Sequence, residues 1–223
     1  MMYDWLKWIR QQGASDLLQQ YHIDLDEKGF FWHYEGHIQR LNWMHQYHDL
    51  IEDGAFKKYA LIRAIKGRTG ADRYILDCCA GLGKDAMLMA VSGCQVLTCE
   101  RSPILFALLK DHLDRYQLNH MMHCVYADAI TLMENWPISR LKPDVIYLDP
   151  MFDIVPRAKV KQHSWLLQSI GMRTDNEQLF NRALSLAGDK VVVKRSRKND
   201  HLVSMKPTYT IEGKTTRYDV YQR

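Results

Sequence analysis

The run Tyr74–Asp85, YILDCCAGLGKD, restricts the fold of this chain more than any other stretch. An apolar, strand-like run stops at Asp77, breaks into the small turn Ala80-Gly81-Leu82-Gly83 and restarts as a helix pattern at Lys84. Gly81 and Gly83 lack a Cβ, so the backbone can take positive φ there and a nucleotide-like ligand can come close to it. The first N–H groups of the new helix would face that ligand. Read as Gly81, Gly83 and Ala86, the turn fits the pattern G-x-G-x-x-A, which by itself is common by chance, so the residues C-terminal to it decide the reading.

Those residues form a repeat of short strand-like and helix-like segments. Strands are expected at 74–79, 95–100, 122–127, 144–149 and 190–196, with helices between them at 84–91, 103–116, 130–135, 161–170 and 176–186. Alternation of this kind builds a parallel sheet with helices on both faces. The end of the chain breaks the rule: VSMKPTYTIEG and TRYDVYQR are two β-rich stretches with no helix between them, so an antiparallel pair is expected to close the sheet. Ahead of the repeat, Phe56, Tyr59, Ala60, Ile62 and Ile65 mark a lead-in helix over 53–66. The first 20 residues suggest two short helices, and the aromatic run from Phe30 to Trp43, with a turn at Glu35-Gly36, suggests a hairpin. His33, His37, His45 and His48 sit among bulky aromatics with no cysteine or carboxylate at ligand spacing, so they read as face residues, and no metal is expected.

Composition narrows the class. With 223 residues, 47% hydrophobic and 25% charged, the chain suits a soluble globular protein of one large core or a core with a small appendage. The opening MMYDWLKWIR carries Asp4, Lys7 and Arg10 where a signal peptide has its apolar centre, and no run approaches the length of a membrane span; a cytoplasmic protein is expected. The five cysteines have no C-x-x-C spacing and read as reduced core thiols. The net charge of +4 divides unevenly: residues 151–223 carry +7 and residues 1–150 carry −3, which suggests a polyanionic partner for the C-terminal third.

Four features fall at the carboxyl ends of successive expected strands, where open α/β sheets hold their ligands. They are Asp77 with the Ala80–Gly83 turn, Glu100, Asp128 with Ala129, and Asp149-Pro150-Met151-Phe152. Glu100 could accept hydrogen bonds from both hydroxyls of a ribose, and Asp128-Ala129 suits an adenine edge. Each acidic residue alone could be a helix cap; four in this order suit a nucleotide cofactor. The first two features fit NAD as well as S-adenosylmethionine (SAM), and the last separates them, because a dehydrogenase has no use for Asp-Pro-x-Phe at this position. An exocyclic base amine is a weak nucleophile whose lone pair is delocalised into the ring. A carboxylate and a backbone carbonyl accepting its two N–H bonds draw it toward tetrahedral geometry and aim the lone pair at a methyl donor. Pro150 would set the carbonyl direction, and Phe152 would offer a face for the base.

With these residues the chain resembles a known family. LDCCAGLGKDAMLMAVSGCQVLTCERSP, VIYLDPMF, KVVVKR and the closing RYDVY are similar to the RsmJ-type 16S ribosomal RNA guanine-N2 methyltransferases, from about Asp72 to the C-terminus. The resemblance implies a Rossmann-like class I methyltransferase sheet over 53–223, mostly parallel with an antiparallel C-terminal strand pair, and a small N-terminal β-containing lobe over 1–52. It implies SAM as cofactor, contacted by Lys84-Asp85, Glu100-Arg101, Asp128-Ala129 and Asp149. The last would double as the wall of the target-base pocket, and the implied partner is 16S rRNA or the small ribosomal subunit. The chain departs from the family pattern at Asp153, where the family has proline after DPMF, and before the lead-in helix, where Gly54, Lys57 and Lys58 stand in place of a basic glycine-rich run.

The strand ends also place charge. Arg157, Lys159 and Lys161 come after DPMF, and Lys194, Arg195, Arg197 and Lys198 leave the next strand, so these seven are expected to form an RNA-binding surface beside the DPMF pocket. The competing readings are a SAM-dependent methyltransferase for another RNA, DNA or protein amine, a nicotinamide-dependent oxidoreductase, and a catalytically silent RNA-binding protein.

Overall fold

A computed structural model describes residues 4–41, 55–150 and 175–223. Two short helices, α1 (Trp5–Gln11) and α2 (Ser15–Gln20), lead into a three-stranded antiparallel sheet of β1 (Ile23–Asp26), β2 (Gly29–Tyr34) and β3 (His37–Arg40). The turn between β2 and β3 has Glu35 at φ 48° and Gly36 at φ 77°. Two positive values in a two-residue loop match the right-handed twist of the strands it joins. The expected hairpin is therefore present, and β1 joins it as a third strand; its only sequence signal is the alternation in Ile23-Asp24-Leu25-Asp26.

The lead-in segment differs from the single helix expected over 53–66. Ala55–Lys58 is a 3-10 turn, Tyr59 is extended at ψ 133°, and α3 runs from Ala60 to Lys66. The break leaves Tyr59 45% exposed, so the buried stripe is Leu61, Ile62, Ala64 and Ile65.

The remainder is a seven-stranded sheet: β4 (Tyr74–Asp77), β5 (Gln95–Glu100), β6 (Met122–Tyr126), β7 (Val145–Leu148), β8 (Lys190–Ser196), β9 (Tyr209–Glu212) and β10 (Thr216–Gln222). Its order is β6-β5-β4-β7-β8-β10-β9. Strands β4 to β8 are mutually parallel, and β10 pairs antiparallel with both β8 and β9. The expected C-terminal pair is present, with the final strand inserted between its hairpin partner and β8.

Helices α4 (Lys84–Val91), α5 (Pro103–Arg115), α6 (Ala129–Glu134) and α7 (Asn176–Leu186) cover the sheet. The segment expected as a helix at 161–170 lies outside the described residues. Ser102 caps α5 by accepting from the Leu105 N–H at 3.5 Å, and Pro103 at the first turn lacks the N–H that would otherwise need a partner. Side-chain alternation along the strands makes two cores. One face buries Ile75, Val96, Met122, Val145, Tyr147 and Val192 against α3, α4 and α5; the other buries Leu76, Leu97, Ile146, Val191 and Val193 against α6 and α7. Among the described residues, no helix is long and apolar enough to cross a membrane.

The N-terminal lobe packs on α5 and shares its core. Ile9, Leu18, Ile23, Phe30 and Trp32 are continuous with the α5 side of the sheet. Phe106 of α5 lies 6.0 Å from Trp5 and 5.4 Å from both Trp8 and Tyr126, ring centre to ring centre. Arg115 closes the other end, donating to the Glu27 carbonyl at 2.7 Å and to Asp111 at 2.7 Å. Phe106→Ala is therefore expected to cost about 3–4 kcal/mol in denaturant unfolding, the scale for a buried Phe truncation, with lobe and sheet still unfolding in one transition. Two separated transitions in the variant, or a loss below about 1 kcal/mol, would show that the shared core does not couple them.

Candidate active site

The loop after β4 is held from three sides. The Cys78 N–H donates to the Tyr147 carbonyl at 3.0 Å, the Ala80 N–H to the Cys99 carbonyl at 3.2 Å, and the Gly83 N–H to the Ala80 carbonyl at 2.7 Å. Gly81 and Gly83 adopt φ 52° and 74°, as the turn requires. At Gly83 the space left by the absent Cβ is filled from the core: a Cβ there would stand 2.6 Å from Cδ1 of Leu109 and 3.1 Å from Cε of Met122. Gly83 thus serves close packing of α4 on α5, while Gly81 faces the strand ends.

Glu100, at the end of β5, is buried and bonds backbone with both oxygens. Oε2 accepts from the Gly81 N–H at 2.9 Å and Oε1 from the Ser102 N–H at 2.7 Å. One carboxylate therefore ties the glycine turn to the start of α5, and its remaining lone pairs are at the height where ribose hydroxyls are expected. Asp128 caps α6, accepting from the Thr131 N–H at 3.0 Å, and pairs with Arg101 at 3.4 Å. Ala129 is buried in the core under α6, so only its backbone can meet a ligand. Ala80 is buried and Lys84 is half-buried in the first turn of α4.

On the α4 side of the sheet, alternation stacks Asp77 of β4, Tyr147 of β7, Asp149 just past it and Lys194 of β8. The Lys194 ammonium donates to Oδ2 of Asp85 at 2.7 Å and to Oδ2 of Asp149 at 2.9 Å, and the Tyr147 hydroxyl donates to the same Asp85 oxygen at 2.5 Å. Asp149 is half-exposed and Pro150 behind it is buried. Burial pushes the Asp77 carboxyl up to about 8, with Asp85, Asp149 and Glu100 adding repulsion. Burial raises Asp149 as well, with Lys194 pulling the other way. Burial alone would lower Lys194, but Asp149 and Asp85 hold it well above the ordinary lysine range.

Two of the residues expected on the RNA surface have partners within the fold. Lys194 lies inside the site as the partner of two carboxylates, and Arg195, next along the strand, points to the opposite face, where it is buried with its Nε donating to the Asp200 carbonyl at 2.8 Å. Period-two alternation forbids both from facing one partner. Arg197 and Lys198 are exposed past the strand end, Arg197 pairing with Glu212 at 2.7 Å. Met151, Phe152, Arg157, Lys159, Lys161 and the departure at Asp153 fall outside the described residues, as do His45 and His48; His33 and His37 are exposed on the small sheet. Tyr147 is the site residue that the reading of motifs missed, although its place two residues before Asp149 put it on the same strand face.

A parallel sheet closed by an inserted antiparallel strand, with a glycine turn and acidic strand ends at its carboxyl edge, defines a class I methyltransferase domain. The carboxylates of Asp85, Glu100 and Asp149 converge around Asp77 there, an acidic set that fits the sulfonium cation of SAM and opposes a dinucleotide diphosphate. Residues 40–223 match the family described as "Putative SAM-dependent methyltransferase". The ribosomal RNA small subunit methyltransferase J of Ectopseudomonas mendocina is 40% identical over 172 residues, covering 73% of this chain and 65% of that one. The protein of the same name from Pseudoalteromonas atlantica is 39% identical over 180 residues, covering 75% and 70%. A crystal structure of a SAM-dependent methyltransferase from Neisseria gonorrhoeae superposes with a TM-score of 0.59 at 25% identity, over 86% of this chain and 77% of that one. The chain spans about two thirds of the length of the curated relatives it matches. It belongs to the ribosomal RNA small subunit methyltransferase J family, whose cofactor is SAM. The family match begins at residue 40, earlier than the resemblance from Asp72, and includes the last strand residue of the small sheet.

The raised Asp77 predicts a pH effect. The folded protein keeps a proton on Asp77 that the unfolded chain releases near pH 4, so this group's contribution to stability falls as pH rises from about 4 to about 8. Asp77→Asn keeps an acceptor for the Cys79 N–H without titrating. The variant is expected to be more thermostable than wild type at the upper end of that range, with the gap closing toward its lower end. A gap that does not depend on pH would mean that Asp77 is ionised throughout.

Proposed function

We propose that this protein methylates the exocyclic N2 amine of a guanosine in small-subunit (16S) ribosomal RNA, using SAM. The observation that carries the reading is Asp149: a half-exposed carboxylate at the end of β7, beside the glycine turn, with a buried proline behind it. SAM supplies an electrophilic methyl group on a sulfonium centre. Asp149 accepts one N–H of the amine and the Pro150 carbonyl the other, which localises the nitrogen lone pair and points it toward the glycine turn. The cofactor's ribose meets Glu100 and its adenine the segment at Arg101, Asp128 and Ala129. Phe152 is the sequence's candidate for stacking on the base, which must leave its helix to reach the site. The relatives' names support the ribosomal substrate, and a ribosomal substrate is in keeping with a cytoplasmic protein. Residues 1–52 are taken as a small lobe and 53–223 as the methyltransferase unit, a division supported by the separate three-stranded sheet of β1 to β3.

RNA would approach over a basic rim that joins three segments at the carboxyl edge. Arg197 and Lys198 leave β8, the Arg197 N–H donates to the Thr215 carbonyl at 3.3 Å, and Lys214 sits in the same β9–β10 turn. A Cβ on Gly213 would stand 3.5 Å from Ala60, directly after Lys57, Lys58 and Tyr59. These lysines and Arg197 are exposed, and phosphate contacts from such groups orient the substrate while the pocket selects the base.

Asp149→Ala is expected to lower methyl transfer at saturating SAM by about 100-fold or more, the scale for removing a group that acts on the reacting atoms. Radiolabelled SAM with wild-type protein, followed by nucleoside mass spectrometry of small-subunit RNA, checks the product. Methylation of another nucleoside, or of no RNA, sinks the guanosine assignment, and a variant with more than a tenth of wild-type turnover sinks the role of Asp149. The combined variant Lys58→Ala/Lys198→Ala/Lys214→Ala should bind RNA more weakly, flatten the salt dependence by about two to three charges and leave SAM affinity unchanged. Equal salt slopes for wild type and variant would move the RNA off this rim.

A further inference from the structure

We propose that Lys194 is a positioning residue for methyl transfer: it holds Asp149 as an ionised carboxylate, with Oδ2 bonded to the ammonium and Oδ1 turned to the substrate amine, and is itself held by Asp85 and Tyr147. The inference rests on the reading of Asp149 as the group that accepts the amine N–H.

The geometry is a chain of three bonds across three elements. Tyr147 of β7 donates to Oδ2 of Asp85 in the first turn of α4; Lys194 of β8 donates to that same oxygen and to Oδ2 of Asp149. Among the described residues no donor to Oδ1 of Asp149 is found, and the Asp149 side chain is 37% exposed. The Lys194 side chain is 24% exposed, between Val193 and Arg195 on a strand whose other central residues are buried valines. An ion pair so placed is poor evidence for stability, since apolar side chains of similar volume often serve a fold as well or better. A fixed ammonium beside the reacting carboxylate has a chemical use instead.

That use comes from the surroundings of Asp149. Asp77 faces it from β4, Asp85 from α4, Cys79 from the glycine turn, and Tyr147 and Tyr218 from β7 and β10; the cations are Lys194 and, from the far face of β8, Arg195. Burial and Asp85 both favour the protonated acid, and Lys194 opposes them. A protonated Asp149 would present a hydrogen-bond donor to an amine that must itself donate. With Lys194 in place, Asp149 stays an acceptor, and its bonded Oδ2 fixes the plane of the carboxylate. Tyr147 also donates to Asp85, so that carboxylate draws less on the ammonium it shares with Asp149.

The test compares Lys194→Met, which keeps length without charge, with Lys194→Arg, which keeps the charge. Turnover at saturating SAM and RNA is followed over pH for both and for wild type. Asp149 must be ionised, so activity falls as pH drops through its titration. Removing the opposing charge should move this acid limb upward by about one pH unit or more in Lys194→Met, while Lys194→Arg keeps the wild-type limb. At a pH below both limbs, Lys194→Met is then about ten-fold or more slower than Lys194→Arg. A limb that stays put in Lys194→Met overturns the proposal whatever its rate, and an equal shift in Lys194→Arg assigns the effect to packing and overturns it too. Should Lys194→Met not fold, Tyr147→Phe takes its place. Freed of the hydroxyl, Asp85 draws Lys194 from Asp149, so a smaller upward shift is expected and an unmoved limb counts against the proposal. Asp149→Ala separates the two readings: if it stays active, the role of Asp149 has failed, and if it is inactive while Lys194→Met has an unmoved limb, only the role of Lys194 has failed.

Discussion

Side-chain alternation along parallel strands in register is the constraint on which this site depends. Cα partners Asp77–Tyr147 and Tyr147–Val192 put the ends of β4, β7 and β8 level. Every second residue then returns to the same face, so Asp77, Tyr147, Asp149 and Lys194 meet Asp85 of α4 without any loop having to bend toward them. A one-residue slip of β8 would exchange Lys194 for Arg195 and bring a guanidinium, now bonded to the Asp200 carbonyl, to the carboxylates. The valines of β8 are buried on both faces and would fill the core alike after such a slip, so the partners of Lys194 and Arg195 distinguish the register.

The glycine turn depends on the same sheet through Glu100. Its two backbone bonds make the turn, the β5 terminus and the α5 cap one unit, so the ligand-facing amides are placed by a carboxylate that is itself close to the cofactor's expected ribose. Burial raises Asp77 and Asp149, and the acidic groups around them add to the rise. A cationic ligand is favoured beside such a group of carboxylates. Lys194 balances part of the same field from within.

The N-terminal lobe contributes by contact with α5 and the end of β6. Trp8 meets Tyr126, ring centres 5.0 Å apart, and Tyr126 pairs in register with Glu100. The lobe therefore supports the carboxyl edge of the sheet from the side where β6 is the last strand, giving an otherwise open edge region an aromatic cover.

The strands and most helices were legible because their signals are local: the apolar runs at 74–77, 95–100 and 190–196, and the turn at Glu35-Gly36. So was the class of cofactor, since the order of glycine turn, Glu100, Asp128 and Asp149-Pro150 needs only that successive strands end at one edge. Tyr59 broke the lead-in helix because a helical stripe in sequence does not say whether a bulky ring will be buried. Gly83 also makes room for Leu109, a residue of another helix, which no local pattern announces. Lys194 and Arg195 looked like one basic patch, because charge counting along a chain ignores the sheet face. Sequence by itself determined the parallel sheet, its ligand edge and the acidic residues along it, through periodicity and turn chemistry that act over a few residues. Tertiary structure alone decided which of those charges meet, because pairing Lys194 with Asp85 and Asp149 depends on the lateral order of β4, β7 and β8 and on the helix laid across them.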